Sequence, residues 1–357
     1  MPPRFRRAAS ARFGRWRATD LAEVADLTVD PSPLDRGGWW ALAGTFEGAI
    51  TGYRFDTVTE VAAPSTDLRP DDRRQDDRRP DDWRGPAVSA WRSSMDRDGY
   101  CAGVESIRGR IAAGDVYQVN LCRMLSAELP AVEPMAATSP YRLADRLAVG
   151  NPAPYAGVLD TGDDWVVSAS PELFLQRDGG RLTSAPIKGT AVDPESFADK
   201  DFPENIMITD LVRNDLGRIA VPGSVAVTAL LQRQQHPGLA HLVSTVQADL
   251  APHLGWADIL AATFPPGSVS GAPKIRALQL ISELEPVPRG VYCGAFGFVD
   301  ADRCTARLAV GIRTFAKVGD ELLFGTGAGI TWASDPTAEW QETELKAARL
   351  IALAADA

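Results

Sequence analysis

From Trp91 onward the apolar positions of the chain fall into regular periods. Val104, Ile107 and Ile111 recur at helical spacing, and Gly114 closes the run as a helix stop. The next stretch, VYQVNLC, has the β-branched character of a strand, and strand-like runs return at YAGVLD, WVVSAS and ELFLQ. A helix is expected over about 203–219, carrying ENIMITDLVRNDLGRI. Another is expected to begin near Ala272, with Pro273 in its first turn and Ile275, Leu278, Leu284 and either Leu280 or Ile281 on its apolar face. Strands follow at VYCGAFGFVD, ARLAVGIRTF and ELLFGT, and a last helix spans about 337–354. Upstream, residues 13–61 mix aromatics, β-branched residues and glycines, which predicts short strands and tight turns. Strands come in succession and helices follow, without one-for-one alternation. That order predicts an α+β fold rather than a doubly wound sheet.

Between these regions lies PDDRRQDDRRPDDWRGP, which is almost devoid of apolar residues. Such a segment cannot bury enough surface to fold, so residues 69–90 are expected to form a charged linker. The chain then divides into a β-rich N-terminal region, 1–68, the linker, and a large domain, 91–357. Net charge adds an exclusion: at −10 the protein is a poor match for a nucleic-acid surface. No run approaches the roughly 20 apolar residues of a membrane helix. The arginine-rich start MPPRFRRAASARFGRWRA has no apolar core, so it reads as a basic strand or tail rather than a secretory signal. The four cysteines, Cys101, Cys122, Cys293 and Cys304, form no CxxC pair, and are expected to be buried thiols in a reducing compartment. The expected location is the cytoplasm.

Four segments carry candidate chemistry. Glu339, Glu342 and Lys346 share one face of the last helix. On spacing alone the plainer reading is a solvated face with a Glu342–Lys346 ion pair. The preceding GTGAGITWASDP reads as a glycine-rich turn whose backbone can approach an anion. Glu204 lies in the first turn of the 203–219 helix, where an acid is also favoured by the helix dipole. Glu204 and Glu342 could together supply the two carboxylates that suit Mg²⁺. Gly267, Ser268, Ser270 and Gly271 precede a helix start and suggest an anion site, with Lys274 adding positive charge. Finally, Lys188 lies in SAPIKGTA, a strand-and-turn run in which partial desolvation would lower its pKa and make the amine nucleophilic.

Taken together, SASPELFL, PIKGT, ENIMITDLVRNDLGRI, HLVS, SGAPKIRA and GAGITWASDPTAEWQETELKA resemble, in this order, the motifs of the chorismate-utilising enzymes. That family includes the anthranilate, aminodeoxychorismate, isochorismate and salicylate synthases. The resemblance covers about residues 95–355. It implies an antiparallel-sheet sandwich with helices packed outside, and a Mg²⁺ ion held by Glu204 and Glu342 with Glu339 helping through water. It further implies that Lys346, Gly327, Ala328 and Gly329, with Thr190 and Gly271, hold the substrate. Tyr292 and Arg313 match residues that contact the enolpyruvyl group, His241 an active-site histidine, and Glu172 a general acid or base.

Two positions discriminate within the family. Aminodeoxychorismate synthases often carry lysine at position 188, where anthranilate synthases usually carry alanine. Gln118 stands where isochorismate and salicylate synthases carry a water-activating lysine. The resemblance therefore implies amination of chorismate at C4, giving 4-amino-4-deoxychorismate for p-aminobenzoate and folate. No cysteine lies in a GxCxG-type turn, so ammonia is expected from a glutamine amidotransferase subunit or from solution. The short N-terminal region and the missing leucine-rich serine motif depart from the family pattern. An anthranilate synthase, a secondary-metabolism aminase and a non-catalytic regulatory subunit remain alternatives, the last disfavoured because Glu172, Glu204 and Glu342 are all present.

Overall fold

The computed structural model describes residues 9–61, 83–131, 138–191, 195, 197, 199, 201–236 and 239–356. Every strand pairing among them is antiparallel. The strands form one long ribbon. It starts at the hairpin of Ala226–His236 and Leu239–Asp249, then runs through Arg181–Ala185, Leu173–Asp178, Thr305–Val310, Ala295–Asp300, Trp39–Gly44 and Ile50–Glu60. Trp16–Asp26 and Ser10–Phe13 carry it into a second half: Tyr155–Asp160, Trp165–Ser170, Thr314–Val318, Glu321–Ile330 and Gln118–Glu128.

The ribbon folds over so that its halves face each other. Phe13 of the second half meets Phe296 of the first with ring centroids 5.0 Å apart. Trp39, Ala41, Phe55, Leu159 and Val166 fill the same layer. This is the face-to-face antiparallel sandwich expected of the fold, and helices cover its outer surfaces.

Those helices follow local signals. Asp96 caps Arg97–Ala112 through the Gly99 N–H at 2.8 Å, and Tyr100, Val104 and Ile107 bury one face. Gly114, at φ +81°, ends it as expected. Asp335 caps Pro336–Ala354 in the same way, accepting from the Ala338 N–H at 2.9 Å. Asp201–Gly217 docks on Leu239–Asp249, where the Asn205 amide donates to the Leu242 carbonyl at 2.8 Å.

The structure corrects three expectations. GTGAGI is no turn: it lies within the strand Glu321–Ile330, paired residue for residue with Gln118–Glu128. ARLAVGIRTF is two strands, Thr305–Val310 and Thr314–Val318, which belong to opposite halves of the ribbon. The chain crosses between halves at Gly311–Arg313, where Arg313 adopts φ +52°. The cysteines are not uniformly buried: Cys122 and Cys293 are, Cys101 is half-buried and Cys304 is exposed. Of the charged stretch, residues 69–82 lie outside the described residues. Its end packs firmly: Trp83 is fully buried, and its indole N–H donates to the Ala354 carbonyl at 2.8 Å. Among the described residues no helix is long and apolar enough to cross a membrane.

Candidate active site

The candidate residues gather where the chain passes between the two halves of the sandwich. Glu172 sits between Trp165–Ser170 and Leu173–Asp178, a crossing beside that of Gly311–Arg313. The Val310 N–H donates to the Glu172 carbonyl at 3.1 Å, tying the two crossings together. The Ser170 hydroxyl donates to the Val310 carbonyl at 2.7 Å and accepts from the Glu172 N–H at 3.2 Å. Glu172 is therefore fixed by backbone on both sides and is 3% exposed. Burial pushes the carboxyl up to about 7, against the opposing pull of the Ser268 hydroxyl, the Lys188 charge and the Ile187 N–H.

Lys188 lies on the strand Ile187–Ala191, opposite Leu242. The register slips between Lys188 and Thr190, so that Thr190 pairs with His241. Gly189, at φ +79°, makes this bulge, and Asp201 packs where a Cβ would stand, 2.9 Å from its own Cβ. Burial lowers the Lys188 ammonium below its ordinary range. The carboxylates of Glu204, Glu172 and Glu342 oppose that shift, and the Lys346 ammonium reinforces it. One amine thus feels three carboxylates contributed by three separate segments. That convergence is what the sequence reading required of Glu172, Glu204, Glu342 and Lys346.

The alternate glycines of Glu321–Ile330 build the wall beside this amine. A Cβ on Gly329 would stand 3.3 Å from Lys188 Nζ, 3.3 Å from Asn120 Oδ1, and in collision with the Gln118 amide. Gly325 leaves room for the Tyr292 ring in the same way. Tyr292 is buried, which drives its phenol well above its ordinary value. Strand propensity would disfavour three glycines here; the close approach of these side chains overrides it.

Other expected residues fall around this wall. The Arg313 guanidinium reaches His241 Nε2 at 3.5 Å, and burial lowers the pKa of Arg313. Gly271 pairs with Val119, and Ala272 with Gln118. Ala328 is a buried strand residue opposite Leu121. Lys346 donates to the Gly327 carbonyl at 3.0 Å and pairs with Glu342 at 2.7 Å, the i, i+4 contact that spacing suggested. Glu339 faces the start of its helix, accepting from the Ser334 hydroxyl at 2.7 Å. It does not complete a three-ligand group: none is formed by His, Cys, Asp or Glu among the described residues. Lys274 is a correction. It turns inward to Asp215 at 2.6 Å and to the carbonyls of Pro265 and Thr263 at 3.1 and 3.3 Å, away from any anion site. Asn120, and the part Ser268 plays at Glu172, escaped the sequence reading, because the partners of both lie far away along the chain.

Residues 48–352 match the family of chorismate binding enzymes, and the chain belongs to that family. It is 40% identical over 277 residues to aminodeoxychorismate synthase component 1 of Klebsiella aerogenes, covering 74% of this chain and 59% of that relative. It is 38% identical over 277 residues to anthranilate synthase component 1 of Streptomyces coelicolor, covering 74% and 53%. The chain thus spans little more than half the length of these relatives. Among solved structures, anthranilate synthase component I from Streptococcus pneumoniae superposes with a TM-score of 0.71 at 28% identity, over 95% of this chain and 81% of that one. The menaquinone-specific isochorismate synthase of Escherichia coli shares the fold, with a TM-score of 0.73 at 18% identity, over 97% and 88%.

The glycine wall makes a direct prediction. Gly329→Ala places a methyl against the Gln118 amide and beside Lys188. Overpacking of this kind costs about 1–3 kcal/mol of folding stability, so the variant should unfold at lower urea than the parent. Urea unfolding measures it; unchanged stability would mean that the wall has room for a side chain at this position.

Proposed function

We propose that the protein aminates chorismate at C4, making 4-amino-4-deoxychorismate with ammonia delivered by a glutamine amidotransferase subunit, and that it works in the cytoplasm. The observation that carries this reading is Lys188, a desolvated amine facing Glu172, Glu204 and Glu342. The amine of Lys188 attacks ring carbon C2, the ring double bonds shift, and the C4–O bond breaks. Glu172, protonated below about pH 7, gives its proton to the departing hydroxyl, which leaves as water. Ammonia then bonds to C4, the C2–N bond to Lys188 breaks, and Glu172 takes a proton from the incoming nitrogen. Covalent catalysis of this form divides one difficult substitution into two easier ones.

Tyr292, Arg313 and His241 would orient the side chain of the substrate, and the backbone around Gly327 and Gly329 its ring carboxylate. Glu204 and Glu342 are hard oxygen donors that both act on Lys188 and fit a Mg²⁺ ion, which would supply positive charge for a substrate carboxylate. In this reading Lys346, paired with Glu342, adds positive charge beside the site.

Incubation with chorismate, Mg²⁺ and ammonium, followed by mass spectrometry, tests the proposal. 4-Amino-4-deoxychorismate is the expected product; anthranilate as the main product would overturn it. Chelation of the metal should abolish turnover, and added Mg²⁺ should restore it. Activity that survives thorough chelation removes Glu204 and Glu342 from the metal role.

A further inference from the structure

The buried Lys274–Asp215 pair has no part in the chemistry above, yet it lies one layer behind the general acid–base. Asp215 comes from the helix Asp201–Gly217, and Lys274 opens the helix Lys274–Leu284. Their contact is 2.6 Å, with side chains 8% and 16% exposed. The same ammonium donates to the carbonyls of Thr263 and Pro265. Those carbonyls begin the turn that carries Gly267–Val269, a short 3₁₀ segment closed by the Ser270 N–H donating to the Gly267 carbonyl at 3.3 Å. Ser268, in the middle of this turn, lines the same cavity as Glu172, and its hydroxyl favours the ionised carboxylate. Glu172, Asp215, Thr263, Gly267 and Ser268 line one cavity of about 20 Å³. One cation therefore ties a helix to a turn, and the turn presents its hydroxyl to the reactive carboxylate.

We propose that Lys274 and Asp215 are positioning residues: their ion pair clamps the 263–270 turn so that the Ser268 hydroxyl stays on the Glu172 carboxylate and aims it at Lys188. The inference rests on the reading of Glu172 as the acid–base of the site. A lysine is suited to this place because its three ammonium protons meet three acceptors: Asp215 Oδ2, the Thr263 carbonyl and the Pro265 carbonyl. The groups that face Glu172 are Ser268, the Ile187 N–H and the Lys188 ammonium, with Tyr155 nearby and Asp215 across the cavity. Of these, Ser268 is the one carried by the clamped turn, and Asp215 is the clamp itself.

The test compares Ser268→Ala with Asp215→Asn/Lys274→Met, a double variant that removes both charges and leaves neither unpaired. Ser268→Ala deletes a hydroxyl that favours the ionised carboxylate, so the inflection of Glu172 should move upward by about one pH unit in the pH profile of kcat/KM. The double variant should move it in the same direction, although neither residue touches Glu172. Combining all three changes should move it no further, because the clamp acts through Ser268. Lys274→Arg/Asp215→Glu, which restores opposite charges, should recover part of the effect. A folded double variant whose profile matches the parent overturns the proposal, as does a displacement that adds to that of Ser268→Ala. An infrared titration of the Glu172 carboxyl without substrate, assigned by its loss in Glu172→Gln, separates the two ideas. If that titration moves as described while no C4 amination occurs, the clamp stands and the reading of the reaction fails.

Discussion

Lys188→Ala should cut formation of 4-amino-4-deoxychorismate by roughly 10³-fold or more, the scale on which loss of a covalent nucleophile acts. The effect should lie in kcat, since the substrate contacts expected of Tyr292, Arg313 and the glycine strand are untouched. A small activity can survive by direct attack of ammonia at C2, which gives anthranilate, so both products need to be measured. A second signature belongs to Lys188 alone. Its ammonium is one of the groups that restrain the rise of the Glu172 carboxyl, after the Ser268 hydroxyl. Removing it should move the Glu172 inflection above about pH 7. Unchanged C4 amination in Lys188→Ala would rule out the covalent route, whatever the pH profile did.

The periodic elements were legible because their signals are local. The helix at Val104, Ile107 and Gly114 and the strands Tyr155–Asp160 and Trp165–Ser170 stand where the pattern put them. The glycines at 325, 327 and 329 misled, because their composition is that of a turn while their register is that of a strand. Their reason is non-local: a tyrosine ring, a thiol and an amide each press on one of them. Lys274 misled in the same way, since a lysine beside a glycine-rich helix start looks like an anion ligand until Asp215 is seen beneath it. The convergence on Lys188 was reached only through resemblance to a family. Nothing in the spacing of positions 172, 188, 204 and 342 reveals that two halves of one ribbon fold together around them. The crossings at Glu172 and Arg313 show why those positions face the site: each lies where the chain leaves one half for the other, and so between both.

Glu172→Gln should slow amination by about 10²–10⁴-fold, the usual contribution of a general acid–base, and should stabilise the protein at alkaline pH. The second effect follows from the same burial that tunes the first. The ordinary value of the carboxyl is 4.5, and in the folded chain it lies at about 7. As pH rises between these values the unfolded chain releases a proton that the folded chain retains, so stability falls with pH across that window. The folded-state advantage is complete below about pH 4.5 and lost above about pH 7, a difference of about 3 kcal/mol. Gln carries no proton to lose, so Glu172→Gln should remove this dependence and gain up to that amount at pH 8 and little at pH 4.5. Urea unfolding at the two pH values measures it. A variant that loses activity yet keeps the parent's pH dependence would mean that the buried proton near neutrality sits on another group, and that Glu172 acts only by shape. If instead both effects appear together, the acid–base is held in its working range by a desolvation that the rest of the sandwich must offset.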